Sequence, residues 1–168
     1  MILRALTLVG GLAGAATTAQ FPEFSQQYIQ RLGGAVDALS EVAADFDVSA
    51  DAAGLTRDAA LAQMQGTQFL ERRRTDMTNT FTRLESLQSD LRALQGQGPF
   101  MRAYHLPRFR DPQIAGAAWQ VFVPALPLSF AGISFALLGF VLATLGLGLI
   151  LRILTWPFRR RAATSKPA

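Results

Sequence analysis

Leu128 to Leu151, LSFAGISFALLGFVLATLGLGLIL, is the stretch whose reading decides the fold. Its 24 residues contain no charge and no Pro. As a helix it would run about 36 Å, enough to cross the roughly 30 Å hydrocarbon core of a bilayer with some tilt. The competing explanation is a buried core helix, and a charge-free run of this length argues against it. Pro124 and Pro127 break any helix arriving from the N-terminal side and open the span. Trp119 and Trp156 bracket it at headgroup depth, and Arg159, Arg160 and Arg161 would hold its far end in the cytoplasm.

Small residues recur within this segment at alternating steps of four and three: Gly132, Ala136, Gly139, Ala143 and Gly146. That spacing puts them on one stripe of a helix, with Ile133, Phe135, Leu138, Val141 and Leu142 expected opposite. Such a stripe admits a second helix at short range, which is how helices associate in lipid. The first apolar segment, a second copy or another protein could fill it.

That first segment is Ile2 to Ala19, ILRALTLVGGLAGAATTA. Between Arg4 and Gln20 it offers about 22 Å of helix, short for a span, so Arg4 must snorkel and Phe21 and Phe24 must mark the far interface. Gly10 and Gly14 form a GxxxG pair, and Thr18 extends the row. A cleaved secretory signal is the alternative, with Arg4 as its basic region and Thr17-Thr18-Ala19 as the cut site. Phe21-Pro22 just beyond the cut opposes it.

Charge supports a paired-span reading. The chain has 168 residues, 50% hydrophobic and 17% charged, with a net charge of +4. All twelve acids lie between Glu23 and Asp111, against ten bases in the same stretch, a net of −2. The flanks hold Arg4, Arg152, Arg159, Arg160, Arg161 and Lys166 with no acid. Basic flanks around a mildly acidic middle fit two spans with both ends cytoplasmic, and do not fit a nucleic-acid binder. There is no Cys and one His, which excludes thiolate and multi-histidine metal sites.

The middle reads as a helical hairpin. Phe21, Phe24, Tyr28, Leu32, Val36, Leu39, Ala43 and Phe46 recur every three or four residues, as do Phe69, Leu70, Met77, Phe81, Leu84, Leu87, Leu91 and Leu94. Two helices of about 27 residues with matching stripes predict an antiparallel pair. Leu55 to Met64 predicts a short helix started by Thr56, Thr67 is a candidate N-cap, and Gly96 to Pro99 ends the second helix. Arg72, Arg73 and Arg74 fan around the helix beside Glu71 and Asp76, a solvated face.

Phe100 to Arg110, FMRAYHLPRFR, interleaves Arg102, Arg108 and Arg110 with aromatic and aliphatic residues. Tyr104 and Phe109 are its further interfacial candidates. It is read either as a segment in the headgroup region or as a loop packed on the hairpin base. His105 reads as a surface residue. Asp111-Pro112 predicts an N-cap and first turn for DPQIAGAAWQVF. No nucleotide, hydrolase or zinc-protease motif occurs, and the apolar segments hold no Asp, Glu or His of the kind that lines ion or proton paths.

The Gly/Ala-rich start, Gln20-Phe21-Pro22-Glu23-Phe24, Gln26-Gln27-Tyr28-Ile29-Gln30-Arg31-Leu32 and Trp156-Pro157 carry a family likeness. The chain resembles a family of short proteobacterial membrane proteins defined as a domain of unknown function. That resemblance implies a bacterial inner-membrane location and brings no catalytic or ligand residues.

The expected architecture is all-α, with two transmembrane helices flanking an extracytoplasmic antiparallel helical hairpin. Its parts are a first membrane helix at 2–20, the hairpin at 21–96, an interfacial segment and short helix at 97–127, a second membrane helix at 128–151 and a basic cytoplasmic tail at 152–168. The expected role is non-enzymatic, structural or assembly-related, in the lipid bilayer with a membrane protein partner or a second copy. No cofactor is expected. The alternative is an extracytoplasmic helical sensor signalling through a partner, because the tail after Trp156 is too short for an output domain.

Overall fold

The computed structural model describes residues 2–163, with side chains described over 3–154. Among the described residues seven α-helices follow in order: α1 (Ile2–Thr18), α2 (Phe21–Ala52), α3 (Arg57–Gln63), α4 (Gln68–Leu94), α5 (Pro99–Tyr104), α6 (Pro112–Gln120) and α7 (Phe130–Ala163). A 3-10 turn at Leu106–Arg108 lies between α5 and α6, and no strand occurs among the described residues. The chain divides into two compact units, residues 1–24 with 123–168, and residues 25–122.

The first unit is a helix pair. Thr7 of α1 lies beside Gly148 of α7, Gly11 beside Thr144, and Thr18 beside Gly139, so the two run antiparallel. Among the described residues, α7 is the one helix long and apolar enough to cross a membrane. It does so over Phe130–Leu154, 25 residues with mean hydropathy 2.4, very few of them buried. At 17 residues α1 is about 25 Å long, short of the hydrocarbon thickness. Ser129 starts α7: its hydroxyl accepts from the Gly132 N–H at 3.1 Å. Gln20 secures the approach to α7, donating to the Ala125 carbonyl at 3.2 Å and accepting from the Ala125 N–H at 3.0 Å. It thereby satisfies both backbone groups of a residue held between Pro124 and Pro127.

The second unit is built on α2 and α4. Phe46 meets Phe81 edge-on at 5.4 Å, and Tyr28 meets Phe109, beyond the end of α4, at 4.6 Å. The two long helices are therefore antiparallel. Tyr28, Leu32, Val36 and Ala43 line the buried face of α2, and Met77, Leu84, Leu87 and Leu94 that of α4. Leu32 and Leu94 are fully covered, each worth about 1.5–3 kcal/mol of burial. Thr67 caps α4 by accepting from Leu70 N–H, and Thr56 caps α3 by accepting from Ala59 N–H, both at 3.3 Å. Gly96 ends the hairpin with φ +75°, a conformation that suits a residue without Cβ.

Several details depart from the sequence reading. The helix expected to stop near Phe46 continues to Ala52, 32 residues in all, because Ala-rich DVSADA carries no breaker before Gly54. Phe69 stands 70% exposed one residue into α4, not on the buried stripe. Ser25, Ile29 and Asp90 are buried although the apolar pattern did not include them.

Candidate functional site

The closest approach in the first unit is the crossing of α1 and α7. A Cβ added to Gly139 would lie 2.6 Å from the Gly14 carbonyl oxygen, and one added to Gly14 would lie 2.8 Å from the Gly139 carbonyl oxygen. Neither backbone can give way, so only glycine fits both positions. Ala143 closes on Gly14 from one side and Thr18 on Gly139 from the other. The Thr18 hydroxyl lies 2.7 Å from the Phe135 carbonyl of α7 and 2.9 Å from the Gly14 carbonyl of its own helix. It has one proton for the two, so it donates across the interface or along it. Phe21 packs on Phe135 at 5.2 Å and closes this end of the crossing.

The contact row differs from the stripe read in the sequence. On α7 it advances by four residues, through Phe135, Gly139, Ala143 and Leu147, with Phe140, Thr144 and Gly148 beside it. The alternating stripe shares only Gly139 and Ala143 with that row. Gly132 instead faces Pro127 of the preceding loop, Ala136 is half-buried, and Gly146 is exposed with open space where a Cβ would go. Phe135, expected on the opposite face, sits in the contact. Gly10 and Gly14 both face α7, Gly10 against Leu147. The four-residue step of Gly10, Gly14 and Thr18 matches the row that GxxxG crossings use.

The second unit carries a charged clasp. Asp90 of α4 has a side chain only 2% exposed, and it accepts from Arg108 at 3.1 Å and from Arg110 at 2.9 Å. Arg110 also donates to Ser86 at 2.9 Å. Nearby, Arg83 donates to Asp111 at 3.1 Å, while Asp111 caps α6 by accepting from the N–H groups of Gln113 and Ile114. The signs alternate, so the segment after α5 is fixed to α4 by pairs of opposite polarity. Burial pushes the Tyr28 hydroxyl above its ordinary value. That hydroxyl reaches toward the Asp111 backbone without closing a hydrogen bond of normal geometry.

Of the interfacial candidates, Arg108 and Arg110 are thus engaged with Asp90, and Phe109 packs on Tyr28. Arg102 donates to Gln26 at 2.8 Å. These four place the segment against the hairpin base. Tyr104 and Trp119 remain 77% and 68% exposed, Trp119 stacked on Phe122. The side chains of Trp156 and of Arg159 to Arg161, and Lys166, lie outside the described part of the chain.

Residues 2–160 match the family described as "Protein of unknown function (DUF2937)". The chain belongs to the DUF2937 family. No curated protein and no solved structure matches it. The DUF2937 match covers α1 through α6 and nearly all of α7, so the crossing and the clasp both lie within the family's extent.

At the tip of this DUF2937 hairpin, Arg57 donates from Nε to Asp47 Oδ1 at 2.7 Å and from Nη2 to Oδ2. The same guanidinium lies 4.3 Å from the centre of the Phe81 ring. One side chain therefore ties α3 to both long helices. The hydrogen bond from Arg57 holds the Asp47 carboxyl below its ordinary value. A depressed carboxyl contributes above its unfolded pKa of about 3.9 and loses that contribution as pH falls through the lower native value. The protection of α3 amides, taken against intrinsic exchange at each pH, should accordingly fall on acidification below about pH 4 and stay flat across the neutral range. Arg57→Ala should lower it in the same way at neutral pH.

Proposed function

We propose that this DUF2937 protein is a non-enzymatic, bilayer-anchored structural or assembly component. In this reading α1 and α7 both span the bacterial inner membrane and the α2–α4 hairpin lies in the periplasm. The observation that carries it is the exposure of α7: Leu137, Leu145 and Leu149 are more than half exposed on a helix that carries no charge before Arg152. An apolar surface of that length is stable only in lipid or against another apolar surface. The pairing of α1 with α7 supports a common depth for the two helices. It also supports one sidedness, since Arg4 falls at the same end of the pair as Arg152 and the Arg159–Arg161 run, the arrangement of cytoplasmic ends.

A second reading, a helical sensor, is favoured by an open groove of about 460 Å³ between α3 and α4, bordered by Arg57, Phe81 and Glu85. A small molecule retained by the purified chain and released by Phe81→Ala would support it.

Reporter fusions after Ala50 and after Ala168 test the topology. The reading predicts a periplasmic reporter at the first position and a cytoplasmic one at the second. Cytoplasmic signals at both positions would reject it.

A further inference from the structure

We propose that the end of the second unit through which the chain enters and leaves docks on an anionic lipid surface. This rests on the membrane reading above and adds a partner for a specific face of the hairpin. Three independent observations converge on that end.

The first is covalent. Phe122, the last residue of the second unit, precedes the first residue of α7 by eight positions. Eight residues reach at most about 28 Å, so this end of the unit cannot leave the neighbourhood of the bilayer that α7 crosses.

The second is charge. Residues 25–36 and 83–122 hold six Arg against three acids, a net of +3, whereas residues 37–82 hold four Arg against eight acids, a net of −4. The clasp absorbs Asp90 and Asp111 within its own pairs. Arg31 and Arg92 remain exposed, and Arg102 is held by neutral partners, Gln26 and Ser25. A unit polarised in this way is drawn to an anionic surface by its base and repelled from it at its tip.

The third is apolar exposure. Phe100, Met101, Tyr104 and Leu106 are 46–77% exposed within a seven-residue stretch. The clasp holds the residues that follow them, Arg108 and Arg110, to α4. Aromatic and aliphatic side chains among Arg residues match the headgroup boundary, where apolar groups enter the acyl edge and guanidinium groups meet phosphate.

The test uses the full chain in nanodiscs of phosphatidylcholine, or of phosphatidylcholine and phosphatidylglycerol in equal parts. Trp119 is close to the span through its tether alone, so the reporter is Tyr104→Trp in a Trp119→Phe, Trp156→Phe background. Lipids bearing a nitroxide at the headgroup should quench it, more strongly in the anionic discs, and amide exchange over 99–106 should slow in parallel. Arg31→Gln with Arg92→Gln should abolish the difference between the two lipids. Equal quenching in both lipids, unchanged by the Arg substitutions, would overturn the anionic preference and with it the proposal. Protection that grows only with the number of chains per disc would assign the face to a second copy and also overturn it. A Leu142→Trp reporter in the same background separates this from the membrane reading. If acyl-chain nitroxides quench position 142 while position 104 stays bright, docking fails and anchoring stands; if both stay bright, anchoring fails as well.

Discussion

Replacing Gly139 by Leu should drive α1 away from α7. The position faces the Gly14 carbonyl and the Thr18 side chain, and a Cβ alone would sit 2.6 Å from that carbonyl oxygen. Overpacking of a well-packed site costs about 1–3 kcal/mol when neighbouring side chains can shift. Here the obstacle is backbone, so the effect should reach or exceed the top of that range. The 2.7 Å approach of the Thr18 hydroxyl to the Phe135 carbonyl would be lost with the contact. Substitution along α7 should be graded by what each site faces. Gly148→Ala should be tolerated, since its Cβ would meet Thr7 Cγ2 at an ordinary 3.8 Å. Gly146→Leu should leave the pair intact, because no atom of α1 lies within 4 Å of its Cβ position. Limited proteolysis of α1 in membranes reads the order directly: cleavage should rise for Gly139→Leu alone. Equal cleavage for Gly139→Leu and Gly146→Leu would contradict the packing described.

The second large effect belongs to the clasp, and it is asymmetric. Asp90 is buried, with a side chain 2% exposed, whereas Arg108 and Arg110 are 42% and 56% exposed. Removing both Arg side chains strands a carboxylate away from water, which costs about 3–5 kcal/mol for an uncompensated buried charge. Asp90→Asn instead leaves two guanidinium groups that can turn to solvent, and should cost about 1–2 kcal/mol. The double variant Arg108→Ala, Arg110→Ala should therefore lower the denaturation midpoint of the full chain in detergent more than Asp90→Asn does. Either single Arg variant should fall between wild type and the double. A larger loss for Asp90→Asn would mean that the guanidinium groups, not the carboxylate, are the groups that cannot be rehydrated.

The two units differ in what periodicity could disclose. The hairpin's apolar stripes, the Thr56, Thr67 and Asp111 caps and the Gly96 terminus were legible because each rests on local chemistry: a hydroxyl or carboxylate meeting orphan N–H groups, or a glycine at positive φ. Asp90 was not legible as a buried residue, because its burial depends on two Arg residues that follow it by 18 and 20 positions. The basic, aromatic 100–110 stretch posed a choice between hairpin and lipid. Its Arg108 and Phe109 pack on the hairpin while Tyr104 and Leu106 face outward, a division of labour that composition does not display.

The helix crossing shows the limit of a pattern read on one helix alone. Alternating steps of four and three mark a stripe on α7, but the partner's approach selects which neighbouring row is covered. The short row in α1, Gly10, Gly14 and Thr18, follows the contact more closely, because its four-residue step is that of the contact and Thr18 reaches the Phe135 carbonyl across it. Gly146 lies on the alternating stripe and outside the contact for the same reason.

The account rests on an antiparallel pair of α1 and α7 within one chain, which we propose is held in the bilayer. The chain has no Cys, so paired substitutions report without interference. Gly10→Cys with Leu147→Cys places two Cβ atoms 4.0 Å apart, within disulfide range. Oxidation of native membranes should convert this variant to an intramolecular disulfide that migrates as a monomer, while Gly10→Cys with Gly146→Cys should stay reduced. A disulfide only between chains, or none at all, would contradict the account.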